Sequence, residues 1–146
     1  MDDSLEIACS AVVQNLPALL LLCERACRHA GAGEDDSHSV RLAVEEACIN
    51  IIEHGYPPCP PGPIVLRFQV EPRRLRITVA DEAPCFDPRR VSAPDLTADA
   101  QARHIGGLGW HLITKVMDEV SHESLGNRGN RLTLVKHLQQ PPGRAQ

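Results

Sequence analysis

The sequence predicts an α+β fold, a two-layer sandwich in which one mixed, mostly antiparallel sheet is covered on one face by helices. Three observations predict it. Stretches of alternating polarity come in pairs, Ile64 to Val70 with Leu75 to Ala80, and Glu119 to Glu123 with Arg131 to His137. A few segments carry apolar residues at helical spacing instead. The 146 residues are 42% hydrophobic but only 3% aromatic, so the core must be built from Leu, Ile, Val and Ala. A chain of this length buries about two-thirds of its unfolded surface.

Leu5 to Val13 is rich in apolar and β-branched residues and fits a first strand. Asn15 reads as an N-cap with Pro17 inside the first turn, where a missing N–H costs nothing. The helix that follows sets Leu16, Leu19, Leu20, Cys23, Cys27 and Ala30 on one face and ends near Gly31 and Gly33. Leu21 and Leu22 fall off that stripe, either widening the buried face or meeting a partner. Asp36 or Ser37 caps a second helix running to about His54, with Gly55 as its stop. Pro57 to Pro63 is too rigid and too poor in N–H donors for regular structure. Two strands joined at Glu71-Pro72-Arg73 read as a hairpin. Pro88 to Ile105 is polar and weakly patterned, as a mobile segment would be. A third helix spans about Leu108 to Val116, and the last two strands flank the turn Leu125 to Gly129. Residues 1–138 read as one domain and 139–146 as a disordered tail.

Several function classes are disfavoured by composition. The net charge is −4 with no basic block, whereas nucleic-acid binding needs a clustered positive face. The longest apolar run, Leu16 to Cys23, contains Pro17 and falls far short of the roughly 20 residues of a membrane span. The start, Met1-Asp2-Asp3, lacks the basic segment of a secretory signal, so a cytoplasmic protein is expected. The six cysteines form no C-x-x-C and have no zinc-like His pair nearby, so they read as small buried hydrophobes.

Chemistry-bearing residues gather in four stretches. Glu46 and Asn50 are four apart on the second helix and face the same way, with Glu53 and His54 near the same edge. That edge either borders a cleft or is simply solvated. Asp81 follows the apolar strand Leu75 to Ala80, and a carboxylate there can accept from an exocyclic amine or cap a turn. Ala83 to Phe86 would supply backbone and an apolar wall. Gly106-Gly107-Leu108-Gly109 opens the third helix, where free N–H groups and the helix dipole favour phosphate oxygens. Trp110-His111 stands where a phosphate-loop kinase needs Lys and Ser or Thr, and the Gly turn comes too late for a dinucleotide fold.

In this order the four stretches resemble the GHKL ATPase superfamily, whose Bergerat fold is the histidine-kinase-like ATPase fold. Within it the chain is similar to bacterial anti-sigma factor serine kinases. The resemblance is carried by Val44 to Tyr56, by Asp81 through Phe86-Asp87-Pro88, by Gly106 to Gly109 with Met117 to Val120, and by Gly129 to Leu134. It covers Leu5 to about Leu138. It implies Glu46 as general base, Asn50 as ligand of a magnesium ion, and Asp81 as reader of adenine. His54, Ala83, Phe86, Asn130 and Thr133 would complete the pocket. Gly106, Gly107, Leu108 and Gly109 would wrap the triphosphate of ATP. Residues 89–105 would form a lid, from which Arg103 or His104 could reach the γ-phosphate.

Two positions depart from the family pattern. Ala83 replaces a Gly, placing a methyl near the adenine, and Asn130 stands where Thr often follows Gly129. The implied function is a serine/threonine protein kinase that uses Mg-ATP to phosphorylate a small antagonist protein and regulates a sigma factor by partner switching, typically as a homodimer. The competing reading is a non-catalytic ATP- or ADP-binding module that captures a partner. A histidine-kinase fragment would need an upstream helical hairpin with a phosphoacceptor His, and too few residues precede the second helix.

Overall fold

The computed structural model describes residues 3–84 and 108–139. Strand β1, Ser4–Ser10, stops three residues short of the expected end. Its partner runs out there: Ser10 faces Pro63, the first residue of strand β2, Pro63–Glu71. The Ala11 N–H then donates to the Gly62 carbonyl and the chain enters a short turn at Val13–Asn15. The side chain of Asn15 does not cap the helix it precedes. Its Nδ2 donates instead to the Ser10 carbonyl at 2.9 Å, fastening the end of β1.

Helix α1, Leu16–Ala30, buries Leu19, Leu20, Cys23 and Cys27 of the stripe the spacing predicts and Ala26 beside it, while Leu16 and Ala30 are partly buried against the core. Gly31 ends it in the left-handed region (φ 73°), closing onto the Arg28 and Cys27 carbonyls. Leu22 packs against the core, while Leu21 is about half exposed. Helix α2, Glu34–Asn50, begins before the expected caps, with extended Gly33 as its N-cap and the Ser37 N–H donating to the Gly33 carbonyl. Glu34, Asp35 and Asp36 all fall in its first turn, where the helix dipole favours negative charge. Beyond Asn50 the helix widens into a π-helical turn, Ile51–Gly55. Such a turn inserts one extra residue and is frequent at functional sites.

β2 and β3, Arg74–Asp81, form the expected hairpin. The Glu71 carboxylate accepts from both Arg74 and Arg76 beside the turn, and these bonds hold its carboxyl below the usual range. Helix α3, Leu108–Val116, lies where the sequence predicts it, followed by β4, Glu119–Ser124, and β5, Asn130–His137. The sheet order is β1-β2-β3-β5-β4, and every pairing is antiparallel among the described residues, so the sheet stands at the antiparallel limit of the mixed one expected. Leu66, Phe68, Leu75, Ile77, Val79, Leu132 and Leu134 are buried at alternate positions and join Leu19, Val40, Val44 and Ile113 of the helices in one core. Cys23, Cys27 and Cys48 are buried there as free thiols, and burial pushes the Cys48 thiol up to about 12, which leaves it inert as a nucleophile. No helix among the described residues is long and apolar enough to cross a membrane.

Candidate functional site

The sheet and helices part at one end to leave a small cavity of about 20 Å³ between α2, α3 and the neighbouring strands β3, β5 and β4. Ala47, Asn50 and Ile51 line it from α2 and its π turn, Ile113 from α3, Val79 and Asp81 from β3, Asn130 and Leu132 from β5, and His122 from β4. The walls are apolar and the polar groups few, as in a small-molecule site.

Pairing register brings the polar groups together. Asp81 ends β3 and lies directly across from Asn130, which opens β5. Both are almost wholly buried, at 6% and 2% exposure. Asp81 Oδ1 accepts from the Ala83 N–H at 2.8 Å and from Asn130 Nδ2 at 2.9 Å. Asn130 Nδ2 also donates to the Ala83 carbonyl at 3.2 Å. Burial pushes the Asp81 carboxyl up, against the opposing pull of these two donors and of His122.

Glycine makes the close approaches possible. Gly129 has φ 100°, and a Cβ there would fall 1.9 Å from the Asp81 carbonyl oxygen, so the β4–β5 turn rests on the backbone of β3. Gly109, in the first turn of α3, stands where a Cβ would lie 2.9 Å from Glu46 Oε2 and 3.5 Å from both polar atoms of the Asn50 side chain. Glu46 and Asn50 therefore present their polar ends side by side to the start of α3. Tyr56 ties down the far corner: its hydroxyl donates to the Pro63 carbonyl at 2.6 Å and accepts from the Glu82 N–H at 2.7 Å.

Other sequence candidates fall elsewhere. The methyl of Ala83 does not enter the cavity. It is fully buried in the core beside Gly55, where a Cβ on that glycine would meet it at 3.3 Å. The bond from its own N–H to Asp81 holds the backbone in that orientation. Thr133 sits one register step off the cavity-facing positions Asn130 and Leu132 and does not line the cavity. His54 is half-buried in the π turn, also off the lining, with Nε2 enclosed and unpartnered among the described residues. Phe86, Arg103, His104, Gly106, Gly107 and the expected lid, 89–105, lie outside the described residues, and of Leu108 only the backbone is described. His122 is the cavity residue that sequence reading missed. The available signal was strand alternation, since it pairs with Leu132 on the core-facing register of β5.

The histidine kinase-like ATPase domain family matches residues 9–136 of this sequence. The chain belongs to that family. Among its curated relatives, the serine-protein kinase RsbW of Bacillus velezensis is 30% identical over 142 residues, an alignment covering 93% of this chain and 86% of the relative. The serine-protein kinase RsbW of Bacillus licheniformis is 32% identical over 124 residues, covering 81% and 76%. Among solved structures, that of the RsbU and RsbW domains of Rv1364c from Mycobacterium tuberculosis superposes with a TM-score of 0.68 at 20% identity. The match covers 94% of this chain and 32% of that longer one. A histidine kinase domain from Erythrobacter litoralis gives a TM-score of 0.53, also at 20% identity, covering 84% and 61%. The last two likenesses show the fold.

Proposed function

We propose that this protein is a serine/threonine protein kinase of the anti-sigma type, which binds Mg-ATP in the cavity and phosphorylates a hydroxyl on a small antagonist protein. The observation that carries the reading is the convergence of Glu46 and Asn50 on the first turn of α3, with Asn50 lining the same cavity as Asp81 and Asn130. Relatives named serine-protein kinase over most of the chain support it.

Each residue then has a physical task. The Asp81 carboxylate accepts from the purine, and Val79, Ile51, Ile113 and Leu132 supply apolar walls for its faces. The N-terminus of α3 receives phosphate oxygens, with Gly109 keeping the approach free of a side chain. Asn50 is 6% exposed and offers a hard amide oxygen beside a carboxylate, a donor set that fits magnesium. When bound, that ion would supply positive charge against the phosphates. Glu46 takes the proton from the attacking serine or threonine hydroxyl in this reading. As that oxygen bonds to the γ-phosphorus, the bond to the β,γ-bridging oxygen breaks and ADP leaves. Holding these groups in line is most of what phosphoryl transfer asks of a protein.

The partners of this reading are a sigma factor, held by the protein, and its phosphorylatable antagonist, with exchange between them set by phosphorylation. A homodimer and a cytoplasmic setting belong to the same proposal, as do the roles of residues 103 and 104 at the γ-phosphate and a single domain over residues 1–138.

Transfer of labelled phosphate from Mg-ATP to candidate antagonist proteins tests it. Glu46→Gln should lower transfer at least a hundredfold, in the range of a lost general base, while nucleotide binding stays within threefold. Transfer at the wild-type rate in that variant would remove Glu46 as the base. Absence of transfer by the wild type to every candidate, with nucleotide still bound, would leave a partner-capturing nucleotide sensor.

A further inference from the structure

The amide of Asn130 holds an acceptor that no donor among the described residues reaches. Its side chain is 2% exposed and lines the cavity beside Asp81. Its amide donates twice through Nδ2, once to the Asp81 carboxylate and once to the Ala83 carbonyl. Turning the amide over would set its oxygen against two acceptors, so the orientation follows from chemistry. Oδ1 is left, buried and without a hydrogen bond. Native structures rarely leave such an atom unserved. The donor it lacks is one that a ligand in the cavity can bring.

Asp81 narrows what that ligand is. Its bonds from Ala83 and Asn130 both land on Oδ1 and neither uses Oδ2, in a residue that lines the cavity. The base end of the cavity thus offers two acceptors, Asp81 Oδ2 and Asn130 Oδ1. Adenine brings an exocyclic amine beside a bare ring nitrogen; it serves one acceptor and turns a lone pair toward the other. Guanine carries a ring N–H and an exocyclic amine side by side, two adjacent donors for two acceptors. Sites that hydrogen-bond a ligand discriminate most strongly when the wrong ligand leaves a buried polar group unpaired.

We infer that Asn130 opens the base pocket to guanine nucleotides, so that GTP competes with ATP for this site to within tenfold. The inference rests on the reading of the cavity as a nucleotide site. A Thr at this position would instead offer a hydroxyl able to donate to the ring nitrogen of adenine, so residue 130 sets the preference.

Displacement of a fluorescent nucleotide from the intact protein by Mg-ATP, Mg-GTP and Mg-ITP tests this. Expected are GTP within tenfold of ATP and ITP, which lacks the exocyclic amine, several-fold weaker than GTP. Asn130→Thr should move the GTP-to-ATP ratio at least tenfold toward ATP. GTP more than tenfold weaker than ATP in the wild type overturns the inference while leaving the ATP site standing, and needs no variant to fold. ITP equal to GTP, or an unchanged ratio in Asn130→Thr, also overturns it. Failure of every nucleotide to displace the probe removes the nucleotide site itself, and this inference with it.

Discussion

Asp81 ends a central strand with 6% of its surface exposed, and burial is the largest influence on its carboxyl, raising it. A carboxyl whose folded pKa lies above its unfolded value binds a proton more readily when folded. The stability it withholds is therefore fully withheld at neutral pH and is returned as pH falls through the folded value. Asp81→Asn keeps an oxygen for the Ala83 N–H and removes the buried charge. The apo variant should melt at or above the wild-type temperature at pH 7, with the advantage shrinking as pH approaches 4, and should lose nucleotide-induced stabilisation. A variant that melts lower at pH 7 and gains on acidification would contradict the sign. At this scale much was legible. Glu46 with Asn50 followed from helical spacing, and Asp81 from its place after an apolar strand. Asn130 against Asp81 was not, because their contact depends on the pairing of β3 with β5, 49 residues apart. The direction of the Ala83 methyl was hidden for the same reason: backbone bonding to Asp81, not residue size, decides which way it points.

Among the elements, the turn between β4 and β5 bears most directly on the cavity. Gly129 leaves it at φ 100°, and its Leu125 and Gly129 ends are joined by a 2.8 Å backbone bond. Gly129→Ala would combine a strained backbone with a clash against the β3 backbone, which cannot give way as a side-chain tip can. A loss of roughly 3–5 kcal/mol is expected by chemical denaturation, in the class of exceptional single-site effects. A loss under about 1 kcal/mol would mean that the turn lifts away from β3. The strands of the hairpin and α3 were readable because alternation and helical spacing are local. The start of α2 was misplaced because Gly33 took the cap ahead of Asp36 and Ser37, leaving the acidic residues to the first turn. The π turn at Ile51–Gly55 gave no composition signal, since an extra residue in a helix leaves no mark until its neighbours are packed. The end of β1 was set by where β2 begins, a fact about the partner strand.

For the molecule as a whole, ligand binding and folding are one equilibrium. Nucleotide at a hundred times its dissociation constant adds about 2.7 kcal/mol, which in a chain of this size raises the melting temperature by roughly 5–10 °C. Mg-ATP should produce that shift and Asp81→Asn should cancel it. A wild-type protein indifferent to nucleotide would contradict the proposed use of the cavity. The two-layer architecture was visible from paired strands and apolar stripes, whereas the strand order β1-β2-β3-β5-β4 places the last strand in sequence beside the central one. That insertion draws Asn130 and Leu132 of β5 alongside Val79 and Asp81 of β3, with His122 of β4 one strand further out.

The seating of Gly129 on the Asp81 carbonyl also has a consequence for how such a pocket evolves. Positions 81 and 83 lie far in the chain from 129 and 130 but share with them one small piece of backbone, so a change in one alters the terms on which the others are tolerated. Drift at the base end of the cavity is then a matter of joint inheritance. Lineages that carry Asn at 130 should also retain a residue at 83 whose carbonyl turns toward it, and should admit nothing but glycine at 129.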